Sequence, residues 1–247
     1  MAKRRSQSKR LALQALWSLF MLVSLVSAVF IAWHVLAKAD FVYPLWYDIL
    51  GIERTIAEYG PQNRYRRHFE TTPKAERIRL FSAIVTAVHA GGQGLATLDY
   101  YGADGRVIDR LLTPPEIVHL QDVARLIDRL QIVGWGALAA WGILLALALR
   151  QGWRAPSVAG ALLRTLASAV TAGLVLVAIG PVQVFYALHE WVFPSGHQWF
   201  FYYQESLMTL MMKAPDLFGY IAIALLGLAV LIFSVLIVLA RVATAMR

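Results

Sequence analysis

The chain has 247 residues, of which 59% are hydrophobic and 15% are charged; its formal net charge is +8 and its mean hydropathy is +0.58. Soluble domains are roughly half apolar and carry more charge, so this composition excludes an ordinary soluble protein. The sequence contains no cysteine, which excludes disulfides, thiolate nucleophiles and cysteine-based zinc sites.

Four apolar runs are long enough to cross a membrane, because a helix of about 20 residues spans a hydrocarbon core of about 30 Å. The sequence therefore predicts an all-α membrane protein with four transmembrane (TM) helices and a small α/β extracytoplasmic domain between helices 1 and 2. In chain order, the predicted segments are a cytoplasmic basic tail (1–10), TM1 (11–38), the extracytoplasmic domain (39–129) with an amphipathic helix (114–129), TM2 (130–149), a cytoplasmic loop (150–164), TM3 (165–188), an extracytoplasmic motif loop (189–216), TM4 (217–240) and a cytoplasmic tail (241–247).

The distribution of charge predicts how the chain is oriented. Segments 1–10, 150–164 and 241–247 carry basic residues and no acidic residue, whereas every acidic residue lies in the two remaining polar segments. Cytoplasmic loops of membrane proteins are enriched in lysine and arginine. We therefore expect both termini in the cytoplasm, with basic tails that face anionic lipid rather than nucleic acid.

Apolar periodicity and turn residues divide the segment 39–129 into short elements. The predicted elements are a helix at 46–59, a second helix at 73–89 and hairpin strands at 95–101 and 106–112. A basic run at 64–67 separates the two helices. It is typical of a solvated face, and contact with lipid phosphates is the alternative.

A helix start at Thr113 introduces the first polar cluster of interest. Threonine, two prolines and Glu116 form a capping-box pattern, so Glu116 can cap its own helix. His119 and Asp122 are three residues apart and share a helical face. A carboxylate beside a histidine can fix its tautomer and raise its basicity. We expect the amphipathic segment 114–129 to lie across the membrane surface and then bend into TM2.

A second cluster follows the third apolar run and combines histidine with aromatic residues. It contains His189, Glu190, Trp191, Phe193, Trp199 and Phe200. Aromatic residues favour the level of the lipid headgroups, so an aromatic belt explains part of this pattern. Histidine is the side chain most easily poised to exchange a proton near neutral pH. If 114–129 lies flat, His119 and His189 reach one membrane depth and can act together.

The two clusters together resemble the signatures of a known membrane family. The first is Glu116-x-x-His119-x-x-Asp122-Val123, and the second is His189-x-x-x-Phe193 followed by Trp199 and by Pro215-Asp-x-Phe218. Gly94-Leu95-x-x-Leu98-x-Tyr100 lies upstream. In order and spacing these motifs resemble the four-span family of bacterial lipoprotein intramolecular transacylases, over roughly residues 80 to 220. Gly219 departs from it, since the family usually has a second aromatic residue there.

This resemblance implies an acyltransferase of the bacterial cytoplasmic (inner) membrane. It would move the sn-2 acyl chain of a diacylglyceryl lipoprotein onto the amine of its N-terminal cysteine, with membrane lipid around it and no cofactor. By carry-over, His119 and His189 are the catalytic pair, with His119 as base and His189 as acid or oxyanion donor, or the reverse. Glu116, Asp122 and Glu190 are the candidate orienting groups. The candidate residues lining the substrate are Trp191, Phe193, Trp199 and Phe200.

Two alternatives remain open from the sequence. His119, His189 and Glu116, with His197 as a fourth ligand, would make an acceptable zinc set, although no zinc-binding motif on a helix is present. The other alternative is a non-catalytic membrane-anchored module that binds a partner or assists envelope assembly.

Overall fold

The computed structural model describes residues 2–155 and 157–246 and is dominated by helices. In chain order the elements are α1 (Ala2–Lys38), α2 (Tyr43–Ile49), α3 (Ile52–Tyr59), α4 (Lys74–His89), β1 (Asp99–Tyr101), β2 (Val107–Arg110), α5 (Pro114–Gln151), α6 (Val158–Ile179), α7 (Pro181–Val192), α8 (Leu207–Met212) and α9 (Asp216–Ala245). The two strands pair antiparallel, with Tyr100 opposite Asp109.

Four helices in the described part of the chain are long and apolar enough to cross a membrane, as the sequence predicted. They are Leu13–Lys38, Pro114–Gln151, Ala159–Ile179 and Asp216–Ala245. Because each is at least 21 residues long and strongly apolar, the chain is a multi-pass membrane protein. Several predicted boundaries, however, differ from the structure. Helix α1 begins at Ala2 within the predicted tail 1–10, α6 begins at Val158 within the predicted loop 150–164, and α9 continues to Ala245, past the predicted end of TM4 at 240.

The predicted TM3, residues 165–188, was wrong at its end. Helix α6 stops at Ile179, and α7 begins at Pro181. Gly180 between them has a φ of +101°, which is outside the helical region. The residue before a proline also avoids helical conformation, so the Gly180-Pro181 pair ends α6. His189 is therefore carried by a separate helix.

The predicted division between an amphipathic helix at 114–129 and TM2 at 130–149 is not a helix boundary. Helix α5 runs from Pro114 to Gln151 without interruption, so the bend that we expected between the two segments is absent from it. Residues 114–129 are favourable to helix formation and contain no glycine or internal proline after the first turn, so nothing ends the helix there.

The chain folds as two compact units. The first contains three helical stretches: one up to His34, one from Gln131 to Val184, and one from Leu225 onward. Its buried core includes Trp17, Phe20, Phe233 and Ile237.

The second unit consists of Val35–Leu130 together with Phe185–Ala224. The predicted domain 39–129 is thus only part of this unit. Tyr43 and Phe81 stack in its core with ring centroids 4.0 Å apart. The helix predicted at 46–59 is interrupted at Gly51, whose φ of +63° separates α2 from α3. The strands are shorter than predicted, but the hairpin itself is present.

Candidate active site

Two histidines from different helices face each other within the second unit. His119 is carried by α5 and His189 by α7, and their ring centroids lie 6.5 Å apart with the planes inclined by 28°. A single small group placed between the two rings would be within hydrogen-bond reach of both imidazoles.

Aromatic rings surround this pair. Phe193 contacts both imidazoles, with centroids 5.0 Å from His119 and 5.3 Å from His189. Phe201 lies 6.0 Å from His119, while Phe185 and Trp199 lie 4.0 and 4.9 Å from His189. The surroundings are therefore apolar, which strengthens any electrostatic interaction made inside them.

The two imidazoles differ in their hydrogen bonds. Nδ1 of His189 lies 2.7 Å from the backbone oxygen of Phe185, one helical turn earlier. A carbonyl oxygen can only accept, so Nδ1 carries the proton and Nε2 of the neutral ring keeps a lone pair. In the described part of the chain, the His119 imidazole makes no hydrogen bond, so both of its nitrogens are available to a bound molecule.

Glu116 is fully buried one turn before His119 and does cap its own helix. Oε2 accepts hydrogen bonds from the backbone nitrogen and the hydroxyl of Thr113, both at 2.6 Å. Oε1 accepts from the Ser206 hydroxyl at 2.5 Å. Ser206 in turn caps α8, because its Oγ accepts from the backbone nitrogen of Thr209. Glu116 thus joins the starts of two helices.

Asp122, one turn after His119, is hydrogen-bonded to His197, a pairing that the sequence did not reveal. Its carboxylate, with a side chain only 3% exposed, accepts from Nδ1 of His197 at 2.6 Å and from the Arg125 guanidinium. Buried carboxylates require such partners. We had considered His197 only as a fourth metal ligand. Its partner lies 75 positions away in sequence, so no local periodicity could have indicated the pair.

Both carboxylates therefore flank His119 on one helical face without bonding to it. Positions 116, 119 and 122 recur every three residues, which places them side by side. Instead of orienting the histidine, Glu116 and Asp122 hold the segment 193–206 at two points, through Ser206 and His197. This segment carries Phe193, Trp199 and Phe201, so the carboxylates position part of the aromatic surroundings.

The structure does not bring the other predicted site residues to the histidine pair. Trp191 is 83% exposed, and Glu190 is exposed without an ion pair or hydrogen bond among the described residues. Phe200 contacts Trp199 rather than either histidine. The helical phase of α7 explains this, because 185, 189 and 193 share a face whereas 190 and 191 point elsewhere. Phe185 and Phe201, which we did not predict, take these places.

A metal set is not assembled from these residues. Within the described residues, no group of three or more histidine, aspartate or glutamate side chains could hold a metal ion. Glu116 is bound to Thr113 and Ser206, and His197 is bound to Asp122.

Comparison with known proteins places this geometry in context. Residues 106–218 match the family model described as lipoprotein intramolecular transacylase Lit, and this stretch contains both histidines. A search of curated protein sequences found no significant match.

Two solved structures of the membrane integral lipoprotein intramolecular transacylase Lit from Bacillus cereus share the fold. One, which carries a histidine-to-arginine substitution, has a TM-score of 0.69 at 16% identity and covers 100% of this chain and 98% of that chain. The other has a TM-score of 0.68 at 16% identity, covering 94% and 96%. Residues 106–218 are therefore similar to the family of lipoprotein intramolecular transacylases, and the chain shares the fold of the two Bacillus cereus structures.

Proposed function

We propose that this protein moves the sn-2 acyl chain of a diacylglyceryl-modified lipoprotein onto the α-amine of its N-terminal cysteine. The observation that carries the proposal is the facing pair His119 and His189 inside an aromatic enclosure, 6.5 Å between ring centroids. The family match covers both residues.

The proposed reaction needs only proton transfer and charge stabilisation. The amine nitrogen attacks the carbonyl carbon of the sn-2 ester, and a new C–N bond forms while the C–O bond to glycerol breaks. The nitrogen loses one proton and the departing glycerol oxygen gains one, so no proton is consumed overall. Nucleophile and ester belong to one molecule, so holding them together supplies a large part of the rate.

The hydrogen bonds favour His189 as the base, which reverses our first choice from the sequence. Because Nδ1 of His189 donates to the Phe185 carbonyl, Nε2 can accept the proton from the attacking amine and return it to the glycerol oxygen. The imidazole of His119 makes no hydrogen bond among the described residues. Its N–H can donate to the oxyanion of the tetrahedral intermediate.

The reaction also requires that water be excluded, and the aromatic residues meet this requirement. Water competes with the amine for the ester and would release a free fatty acid. Phe185, Phe193, Trp199 and Phe201 cover the pair, and acyl chains pack favourably against such rings.

We further propose that the protein lies in a bacterial inner membrane, with both termini in the cytoplasm. The basic residues of segments 1–10, 150–164 and 241–247 support this orientation, as does the confinement of acidic residues to the other side. The second unit would then face outward, where lipoproteins are anchored. An enzymatic reporter fused after Arg247 should be active only in the cytoplasm, and activity only outside would contradict the orientation.

Mass spectrometry of lipoproteins tests the proposed reaction in cells. Expression of the protein in a bacterium that leaves the cysteine amine free should convert N-terminal lipopeptides to an N-acyl lyso form of unchanged total mass. The mass is unchanged because the transfer is internal, so fragmentation must locate the chain on nitrogen. Unaltered lipopeptides from cells that contain the expressed protein in the membrane would refute the proposal.

A further inference from the structure

A cavity of about 300 Å³ lies beside the histidine pair in the second unit. Ligand pockets in proteins have volumes of roughly 300–1,000 Å³, so this one suits a small group or a short piece of chain. Its lining includes Tyr65, Arg66, Thr113, Gln198, Phe201 and Glu205. None of these belongs to the catalytic pair.

One aromatic ring joins the cavity to the catalytic pair. Phe201 lines the cavity and also contacts His119, with 6.0 Å between the ring centroids. Thr113, which also lines it, is hydrogen-bonded to Glu116 one turn before His119. The cavity and the histidine pair therefore share the Phe201 ring as a common wall.

The polar groups of the lining are mixed in sign and in hydrogen-bonding type. Arg66 is held in place by the carbonyl oxygens of Leu112 at 3.1 Å and of Tyr65 at 3.2 Å. Glu205, which also belongs to the lining, pairs with Arg64 at 2.9 Å. With one arginine and one glutamate the lining itself has no net charge, and the side-chain amide of Gln198 supplies both donor and acceptor atoms.

We infer that this cavity binds the first peptide residues that follow the modified cysteine of the lipoprotein substrate. The inference rests on the proposed transacylase function. A peptide unit offers one N–H and one carbonyl per residue, which matches a neutral lining of donors and acceptors. An anionic lipid headgroup would instead require an excess of positive charge. The basic run 64–67 thereby acquires a role, because Arg66 contributes the fixed donor.

Paired substrates and variants test this inference. Purified full-length protein in detergent is given two synthetic substrates, a diacylglyceryl pentapeptide and the diacylglyceryl cysteine amide that lacks the remaining peptide. In the wild type, removal of the peptide should raise KM about tenfold with little change in kcat, the scale of one or two lost hydrogen bonds. In Gln198→Ala and in Arg66→Gln that ratio should fall below about threefold, because the partner groups are gone.

The control variant is Arg106→Gln, an exposed arginine in the hairpin turn, which should retain the wild-type ratio. Equal dependence on the peptide in the wild type and in both cavity variants would overturn the inference. So would peptide-independent KM values with inhibition by phosphatidylglycerol that Arg66→Gln abolishes, which would assign the cavity to headgroups.

A binding measurement separates this inference from the proposed function. Fluorescence anisotropy of the pentapeptide substrate, labelled at its C-terminus and competed with either unlabelled substrate, reports the peptide contribution without turnover. Binding that depends on peptide and on Gln198, with no O-to-N transfer by the wild type, would refute the proposed reaction and retain the cavity assignment. Transfer without any peptide contribution to binding would support the proposed reaction and refute the cavity assignment.

Discussion

Two polar clusters in the second unit, one around the buried Arg77 and one around the histidine pair, differ in whether their hydrogen bonds are complete. In the first, Arg77 uses all three guanidinium nitrogens, with Thr72, Tyr47, Glu53 and the Glu70 carbonyl as acceptors. Tyr47 also donates to Glu53 at 2.5 Å. In the second, the carboxylates beside His119 are satisfied, but the imidazoles keep free nitrogens.

This difference separates a group that stabilises the fold from a group that can act on a bound molecule. A buried polar group without a partner carries an unfavourable free energy, so a fold without a use for it would satisfy it. In the Arg77 cluster every guanidinium nitrogen already has an acceptor within the protein. The imidazoles of the histidine pair have donor and acceptor nitrogens that no described residue uses, and proton transfer to a substrate requires such atoms. Substitutions should therefore affect the two clusters in opposite ways.

The largest expected effect is on turnover by the histidine pair. His189→Ala and His119→Ala should each lower kcat/KM about a hundredfold or more, the usual scale for loss of an acid–base group. Their melting temperatures should stay near that of the wild type, because among the described residues neither imidazole is hydrogen-bonded to another element. Lipopeptide turnover and thermal unfolding in the same detergent provide the two readouts. Rapid turnover by either variant would remove the pair from the mechanism.

Arg77→Met should show the reverse pattern. Loss of its hydrogen bonds should lower the free energy of unfolding by about 3 kcal/mol, while turnover per folded molecule changes little. Arg77→Lys is the matched control for charge, and it should also destabilise because an ammonium cannot form the same fork. A normal melting temperature with lost turnover would show that this cluster belongs to the catalytic machinery.

The Arg77 cluster should also make stability sensitive to acid. Burial alone would raise the pKa of Glu53, but hydrogen bonds from Tyr47 and Arg77 outweigh it and lower that pKa below the ordinary value of 4.5. The folded state then binds its proton less tightly than the unfolded state. This contribution to stability is present above the ordinary pKa and is lost as pH falls through the lowered one. Glu53→Gln should therefore flatten the acid dependence of the melting temperature.

A smaller effect is expected from the residues that position the aromatic segment. His197→Ala and Asp122→Asn each break the bond at 2.6 Å that ties residues 193–206 to α5. We expect turnover to fall about tenfold through loosened positioning, with a rise in ester hydrolysis because water gains access. A ratio of hydrolysis to transfer equal to that of the wild type would show that His197 does not position this segment.

The smallest effects should come from residues that the sequence suggested but the structure places elsewhere. Glu190→Gln and Trp191→Ala should leave kcat/KM within about twofold of the wild type, since exposed side chains without partners contribute little. His34→Ala and His68→Ala should behave likewise. A large loss at Trp191 would place the acyl chains on a different face of α7.

The contrast between these residues shows what the sequence can predict. Four apolar runs predicted four candidate spans, and Thr113 with Glu116 predicted a capping box that the structure contains. These signals are local, because they depend on length and on spacings of three residues. The choice of Phe185 rather than Trp191 as a neighbour of the histidine pair also depends on a local signal, the phase of one helix. Our prediction failed because TM3 was predicted to end at 188, so the helical phase of α7 was not applied to residues beyond it.

The long-range pairings were not accessible in the same way. Asp122 meets His197 and Glu116 meets Ser206 across 75 and 90 positions. Nothing in the periodicity of either segment specifies its partner. The presence of Phe185–Ala224 in the same compact unit as Val35–Leu130 follows from such contacts and not from any single stretch of sequence.

The most direct test of the central claim follows one acyl chain through the reaction. Purified protein is given a lipopeptide with a palmitoyl chain at sn-1 and an oleoyl chain at sn-2, in micelles that contain deuterated phospholipid. We predict that tandem mass spectrometry will find the oleoyl chain on the cysteine nitrogen, without deuterium, and that His189→Ala will form less than about 1% as much in the same time. Palmitoyl or deuterated acyl groups on the nitrogen, or an equal yield from His189→Ala, would contradict intramolecular transfer by the histidine pair.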